Sequence, residues 1–225
     1  MNIDTVIFDL DGTLVHTAPD LLRATNHVLE QNGRTPVVLD QILDMVSFGA
    51  KQMIKRGFDI TGGPVDEAEL DVMFMHFLDY YIANVAVDSR PFEGCIDLLE
   101  KCQGRGMKLG VCTNKPETIA VKLLAELDML KYFAAIVGPD TINIAKPDPA
   151  PYYETITRIG GNLHKSIMIG DSKIDIMTAK AAKVPVIAFT FGYSDEPIKD
   201  LGADYVLGHY DEVAEILLGS LPHRV

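Results

Sequence analysis

The sequence predicts an α/β protein: a Rossmann-like, doubly wound, mostly parallel sheet with an all-helical domain inserted after its first strand. Three observations predict it. After Arg90-Pro91, short and continuously apolar runs alternate with helix-length segments almost to the end of the chain. One more run of the same kind stands alone at residues 5–10, and the stretch between, from Thr17 to about Asn84, carries helical periods only. Continuous apolar strands separated by helices indicate a sheet covered on both faces. The lone first strand belongs with that set, so the expected division is a discontinuous core of residues 1–15 and 88–225 with an insertion at 16–87. The length of 225 residues, about one and a half typical domains, suits that arrangement.

In order, residues 5–10 read as a buried strand ending in the turn residues Asp11-Gly12-Thr13. A helix is expected from Thr17, with Asp20 three residues on as a capping-box variant and Pro19 in the first turn. It runs through Leu21, Ala24, Val28 and Leu29 and stops at Gly33. Pro64 and Asp66 open a second helix, whose Leu70, Met73, Phe74, Phe77, Leu78, Tyr81 and Ile82 recur at spacings of three and four. That stripe reads as a packed helix face before it reads as a ligand pocket. The core then continues with helix 94–103, strand 108–113, helix 116–127, strand 135–137, helix 149–159, strand 166–170, helix 173–182, strands 186–190 and 205–207, and helix 211–218.

Composition excludes several classes. Apolar residues at 48% and charged residues at 23% are ordinary for a globular protein and rule out disorder. A net charge of −12 repels nucleic acid and anionic membrane surfaces. Three Cys without a CxxC pair argue against a disulfide framework, and the absence of a leader or a long apolar run predicts a cytoplasmic protein. Gly104-Arg105-Gly106 with Gly110 precedes a strand instead of following one, so it is an αβ turn and no dinucleotide loop.

Ligands of open parallel sheets bind beyond the carboxyl ends of the strands. There the sequence places Asp9 and Asp11, then Thr113-Asn114, then Lys146-Pro147, then Asp171 with Asp175 four residues on. Each acid alone would read as a helix cap. Together they repel, by about 4 kcal/mol for a pair about 4 Å apart at an effective dielectric near 20. A cation must therefore sit among them, and all-oxygen ligation fits Mg²⁺ and not zinc. Four carboxylates, Lys146 and Mg²⁺ leave one negative charge, so one protonated carboxylate makes the site neutral and supplies a general acid. On an extended strand Asp9 and Asp11 point to the same side. These groups suit phosphoryl transfer through an aspartyl phosphate, with a small phosphorylated metabolite as the partner.

The motifs Asp9-Leu10-Asp11-Gly12-Thr13-Leu14, Val111-Cys112-Thr113-Asn114, Lys146-Pro147 and Gly170-Asp171-Ser172 through Asp175 resemble, in order, those of the haloacid dehalogenase superfamily of phosphohydrolases. The resemblance covers essentially the whole chain and makes the insertion a cap domain. It implies that Asp9 is the nucleophile and Asp11 the acid and base. It implies that Asp9, the Asp11 carbonyl and Asp171 hold Mg²⁺ with Asp175 supporting from behind. Thr113 would bond a phosphoryl oxygen with Asn114 beside it, and Lys146 would balance charge and orient Asp9.

Thr17-Ala18-Pro19-Asp20-Leu21, Gly49-Ala50 with Arg56, Phe191-Gly192-Tyr193 and Ala203-Asp204-Tyr205-Val206 are similar to the phosphoglycolate phosphatase branch, while His16 and Ser47 depart from its pattern. Lys51 and Arg56 are the candidate contacts to a substrate carboxylate. Other readings are a β-phosphoglucomutase-like isomerase, in which Val more often replaces Thr13, a phosphonoacetaldehyde hydrolase-like enzyme with Lys51 as Schiff base, and a noncatalytic phosphate-binding module. The expected assembly is a monomer or homodimer, with a hinge near Val15 to Thr17 and Val87 to Arg90.

Overall fold

The computed structural model describes residues 2–219. Strand β1 (Thr5–Phe8) is followed by a two-residue strand β2 (Val15–His16) and three helices, α1 (Ala18–Gln31), α2 (Ala50–Gly62) and α3 (Glu67–Ala83). The chain returns through β3 (Arg90–Pro91) and then alternates: α4 (Cys95–Gly104), β4 (Lys108–Cys112), α5 (Glu117–Glu126), β5 (Ala135–Val137), a short α6 (Pro139–Ile142) and α7 (Ala150–Arg158). It ends with β6 (Ser166–Gly170), α8 (Lys173–Ala182), β7 (Val186–Phe189), β8 (Tyr205–Leu207) and α9 (Tyr210–Leu218). The six long strands form one parallel sheet in the order β5-β4-β1-β6-β7-β8. Strand order reverses between β1 and β6, which opens a crevice at their carboxyl ends.

Strand alternation divides the core in two. Val6, Phe8, Val111 and Ile169 face a cluster that includes Leu98 of α4, Ile119 of α5 and Val213 of α9. Ile7, Cys112, Met168 and Val186 face a second cluster with Tyr152 and Ile156 of α7 and Ile176 of α8. Both faces are dry, so the strands are apolar throughout, and each such side chain stabilises the fold by roughly 1.5–3 kcal/mol on burial. The three cysteines are free and buried.

The helices of the insertion pack into the first of these clusters, through Leu29 and Val28 of α1, Phe58 of α2 and Phe77 and Tyr81 of α3. Helix α2 was not separately expected. Its apolar face is interrupted by Gly57, whose hydrogen lets α1 approach: a Cβ there would lie 3.1 Å from Leu29 Cδ1. The capping box of α3 is present, with Glu69 N donating to Asp66 Oδ1 at 2.8 Å and Asp66 N to Glu69 Oε2 at 3.3 Å. The capping variant expected at Thr17 is absent. The Thr17 side chain caps nothing, and Asp20 turns away to another task.

That task is to hold the two chain crossings together. Asp20 accepts from Asp88 N at 3.1 Å and from Ser89 N and Oγ at 2.8 and 2.7 Å, and it pairs with Arg23 at 2.8 Å. Next to it, β2 and β3 pair antiparallel, Val15 with Pro91 and His16 with Arg90. The segment at the expected hinge is thus a short ribbon stapled by one buried carboxylate. Asp20→Ala strands the buried Ser89 donors and should lower stability by about 2–3 kcal/mol, read as a shift in the urea unfolding midpoint.

Candidate active site

Strand register assembles the site. Phe8 lies beside Ile169 on β6 and Val111 on β4, so the residues just past each meet at one edge. The expected strand over residues 5–10 stops at Phe8. Asp9 N continues the ladder by one bond, to Ile169 O at 2.8 Å, and then the chain wraps around the Leu10 carbonyl, which accepts from Leu14 N and Val15 N at 3.0 Å. Asp11 therefore leaves the strand, and its direction is set by this turn and not by strand alternation. Gly12 makes the turn possible with φ +81°, and a Cβ there would stand 2.4 Å from Asp171 Oδ2.

Asp9, Asp171 and Asp175 are all buried, and one carboxylate oxygen from each lies within 4.8 Å of the others. Asp171 is fixed by Thr13 Oγ1, which donates to Oδ1 at 2.7 Å, and by Tyr193 N, which donates to Oδ2 at 2.7 Å. Asp175 accepts through Oδ2 from Asp171 N, Ser172 N and Ser172 Oγ at 3.2, 3.1 and 2.8 Å. Its other oxygen takes the Lys146 ammonium at 2.6 Å. The expected alternatives for Asp175, an ion pair with Lys173 or Lys180, are not formed: Lys173 pairs with Glu196, and Lys180 donates to Leu201 O.

Lys146 also forms an ion pair with Asp9, its Nζ 2.8 Å from Oδ1. Burial pushes the Asp9 carboxyl up from 3.8 to about 7; Lys146 opposes the rise, and Asp175 and Asp11 add to it. Burial, then Asp175 and Asp9, hold Asp171 well above the usual carboxylate range. For Lys146 burial works against the charge, but Asp175 and Asp9 outweigh it and keep the ammonium above the ordinary lysine value. Three ionised carboxylates with one lysine leave two negative charges in a buried cluster, and the donor set is all oxygen. The residues present fit a Mg²⁺ ion.

Asp11 stands apart from this cluster. Its carboxylate is gripped by Lys115, whose Nζ lies 2.8 and 2.9 Å from the two oxygens. Lys115 is buried, donates its backbone N–H to Thr113 Oγ1 at 3.1 Å, and was not among the expected site residues. The available signal was its position two residues past Thr113 on the same strand edge. Counting it changes the charge balance: with Mg²⁺ present, four acids and two lysines already make a neutral site, so neutrality does not require a protonated Asp11.

These groups open into a cavity of about 310 Å³ between the sheet edge and the inserted helices. Asp9, Asp11, Thr113, Asn114 and Lys146 line it, with Ser47, Lys51 and Gln52 near α2 and Phe74, Phe77, Leu78 and Tyr81 from α3. The apolar stripe of α3 is both a packed face and a cavity wall. Asn114 is occupied in bracing the Lys146 loop, donating to Lys146 O at 3.2 Å and accepting from Lys146 N at 2.9 Å. Lys51 reaches the wall, but its ammonium pairs with Asp71 at 2.6 Å and Glu67 at 3.3 Å, and Asp71 holds it above the usual lysine range. A lysine so paired is a poor Schiff-base nucleophile. Arg56 is exposed, donates to Gln41 O at 3.4 Å, and does not line the cavity.

A three-acid cluster beside a lysine at the switch point of a doubly wound sheet, under an inserted helical layer, defines a class. The chain belongs to the haloacid dehalogenase-like hydrolase family, whose model matches residues 6–189. It is 42% identical over 215 residues, covering 96% of this chain and 92% of the other, to the phosphoglycolate phosphatase of Agrobacterium fabrum. It is 40% identical to that of Mesorhizobium japonicum, covering 99% and 100% of the two chains. Among solved structures it is similar to a predicted phosphoglycolate phosphatase from Haemophilus somnus, with a TM-score of 0.89, 27% identity, and coverage of 96% and 98%. No helix of the described residues is long and apolar enough to cross a membrane.

Because the Asp9 carboxyl is raised from 3.8 to about 7, the metal-free folded protein binds its proton more tightly than the unfolded chain. Its contribution to stability is therefore greatest below pH 3.8 and falls as pH rises toward 7. The melting temperature of the wild type in EDTA, minus that of Asp9→Asn, should decline between pH 4 and 7. Adding Mg²⁺ should raise the wild-type value more at the upper end.

Proposed function

We propose that the protein is a Mg²⁺-dependent phosphatase that hydrolyses a small phosphate monoester, 2-phosphoglycolate first among candidates. The reading rests on Asp9, a buried carboxylate on the cavity wall whose Oδ1 is paired with Lys146 at 2.8 Å, beside two further acids. The relatives' names supply the substrate, and the modest cavity suits it. Residues 16–87 act as the cap over the core formed by 1–15 and 88–225. Three free thiols support a reducing compartment, the cytoplasm.

In the reaction, an Asp9 oxygen attacks phosphorus and the ester P–O bond breaks, forming an aspartyl phosphate. Asp11, in its acid form at that step, gives its proton to the departing alkoxide. Asp11 then takes a proton from water as the water oxygen attacks phosphorus, and the bond from Asp9 to phosphorus breaks to release inorganic phosphate. Thr113 donates to a phosphoryl oxygen, and Lys146 holds Asp9 and offsets charge. Asp9, Asp171 and the Asp11 carbonyl would hold Mg²⁺, with Asp175 behind them; when bound, the ion neutralises charge on the phosphoryl oxygens. Thr13, which holds Asp171 here, stands where Val is more frequent in β-phosphoglucomutase-like isomerases, and that favours hydrolysis.

Phosphate release from 2-phosphoglycolate should require Mg²⁺, vanish in Asp9→Asn, and fall by about 10²–10⁴ in Asp11→Asn. Undiminished turnover by Asp9→Asn, or conversion of a sugar phosphate without free phosphate, would refute the hydrolase assignment.

A further inference from the structure

A substrate that carries a carboxylate as well as a phosphoryl group needs a second positive or donor-rich point in the cavity. The two cations expected for that role do not offer it: Lys51 is held by Asp71 and Glu67, and Arg56 lies outside the cavity. Lys115 does line the cavity, and the one carboxylate it meets is Asp11. An ammonium has three N–H donors, and two are directed at the two Asp11 oxygens at 2.8 and 2.9 Å. One remains.

Beside it, Tyr81 of α3 also lines the cavity. Its ring centroid is 4.9 Å from Lys115 Nζ, a cation–π contact that joins the inserted helices to the sheet edge. The Tyr81 hydroxyl is buried and makes no hydrogen bond of good geometry among the described residues, with the Lys115 ammonium beside it. Buried phenols ordinarily find one, so an orphaned hydroxyl on a cavity wall points to a ligand atom that completes it. Burial pushes the phenol up to about 12, which keeps it a donor across the physiological range. Two donors on adjacent groups match the two oxygens of one carboxylate.

We propose that Lys115 and Tyr81 form the subsite that binds the carboxylate of the substrate. The proposal rests on the phosphomonoesterase reading and deepens it. A carboxylate at this point lies between a core residue and a cap residue, so it is bound fully only when both walls are in place. It also meets the same ammonium that positions Asp11, which links recognition of the acid end of the substrate to the group that moves the proton.

The test compares kcat/KM for 2-phosphoglycolate with that for 2-hydroxyethyl phosphate, which replaces the carboxylate by a neutral CH₂OH group. Reading the ratio of the two cancels any loss that both substrates share through Asp11. Lys115→Gln should lower this ratio at least about tenfold, and Lys115→Arg should restore most of it. Tyr81→Phe removes only the orphaned hydroxyl, so its melting temperature should not fall, and its ratio should drop about threefold or more, through KM. This second variant decides the matter if Lys115→Gln does not fold. A wild type that prefers 2-phosphoglycolate, with ratios unchanged in the folded variants, overturns the subsite and leaves the phosphatase reading intact. A wild type that shows no preference for 2-phosphoglycolate overturns the substrate assignment itself.

Discussion

Three carboxylates buried within 4.8 Å of one another are the constraint on which the rest of this molecule depends. Such a group is unstable without compensation, and the fold supplies it in layers. Lys146 places one ammonium between Asp9 and Asp175. Backbone N–H groups of residues 171, 172 and 193 and the hydroxyls of Thr13 and Ser172 take up the remaining lone pairs. Asp9 Oδ1 meets the Lys146 ammonium at 2.8 Å, and Asp9 is the one of the three acids that lines the cavity. The polar network therefore orients the acids and leaves Asp9 the one presented to the cavity.

Close backbone approach is the second requirement. A Cβ at Gly192 would come within 2.1 Å of Asp171 Cβ, and one at Gly12 within 2.4 Å of Asp171 Oδ2. Asp171 is wedged between two main-chain segments, one from the first turn of the chain and one from the loop after β7. Tyr193 extends that wedge toward the inserted helices: its N–H holds Asp171, while its hydroxyl accepts from Ala18 N at the start of α1 and contacts His16 Nδ1 at 2.8 Å in the ribbon. Burial lowers the His16 imidazole below 6.5, which favours the neutral ring in this contact. Asp171 and the base of the inserted helices are thus tied through one residue, as the two crossings are tied through Asp20.

Much of the architecture was legible because it is written in local patterns. Strands 135–137, 166–170 and 205–207 and helix 173–182 were readable to the residue, since each is an apolar run bounded by turn or cap chemistry. Helix α2 was not, because Gly57 breaks its apolar face and its packing against Leu29 is a tertiary fact. Thr17 and Asp20 had the spacing of a cap, yet Asp20 found better donors on the returning crossing, 68 and 69 residues away. Local propensity lost to a buried network there.

Sequence by itself determined the doubly wound sheet, the inserted helices and the acids that gather at the strand ends, because strand periodicity and the edge at which ligands bind follow from residue order. Only the tertiary structure decided which charges meet. Lys51 is spent on acids from a neighbouring helix, whereas Lys115 meets Asp11 across 104 residues of chain. Parallel pairing of Phe8 with Val111 brings those two together, and no pattern within either segment encodes a contact that depends on the register of two strands.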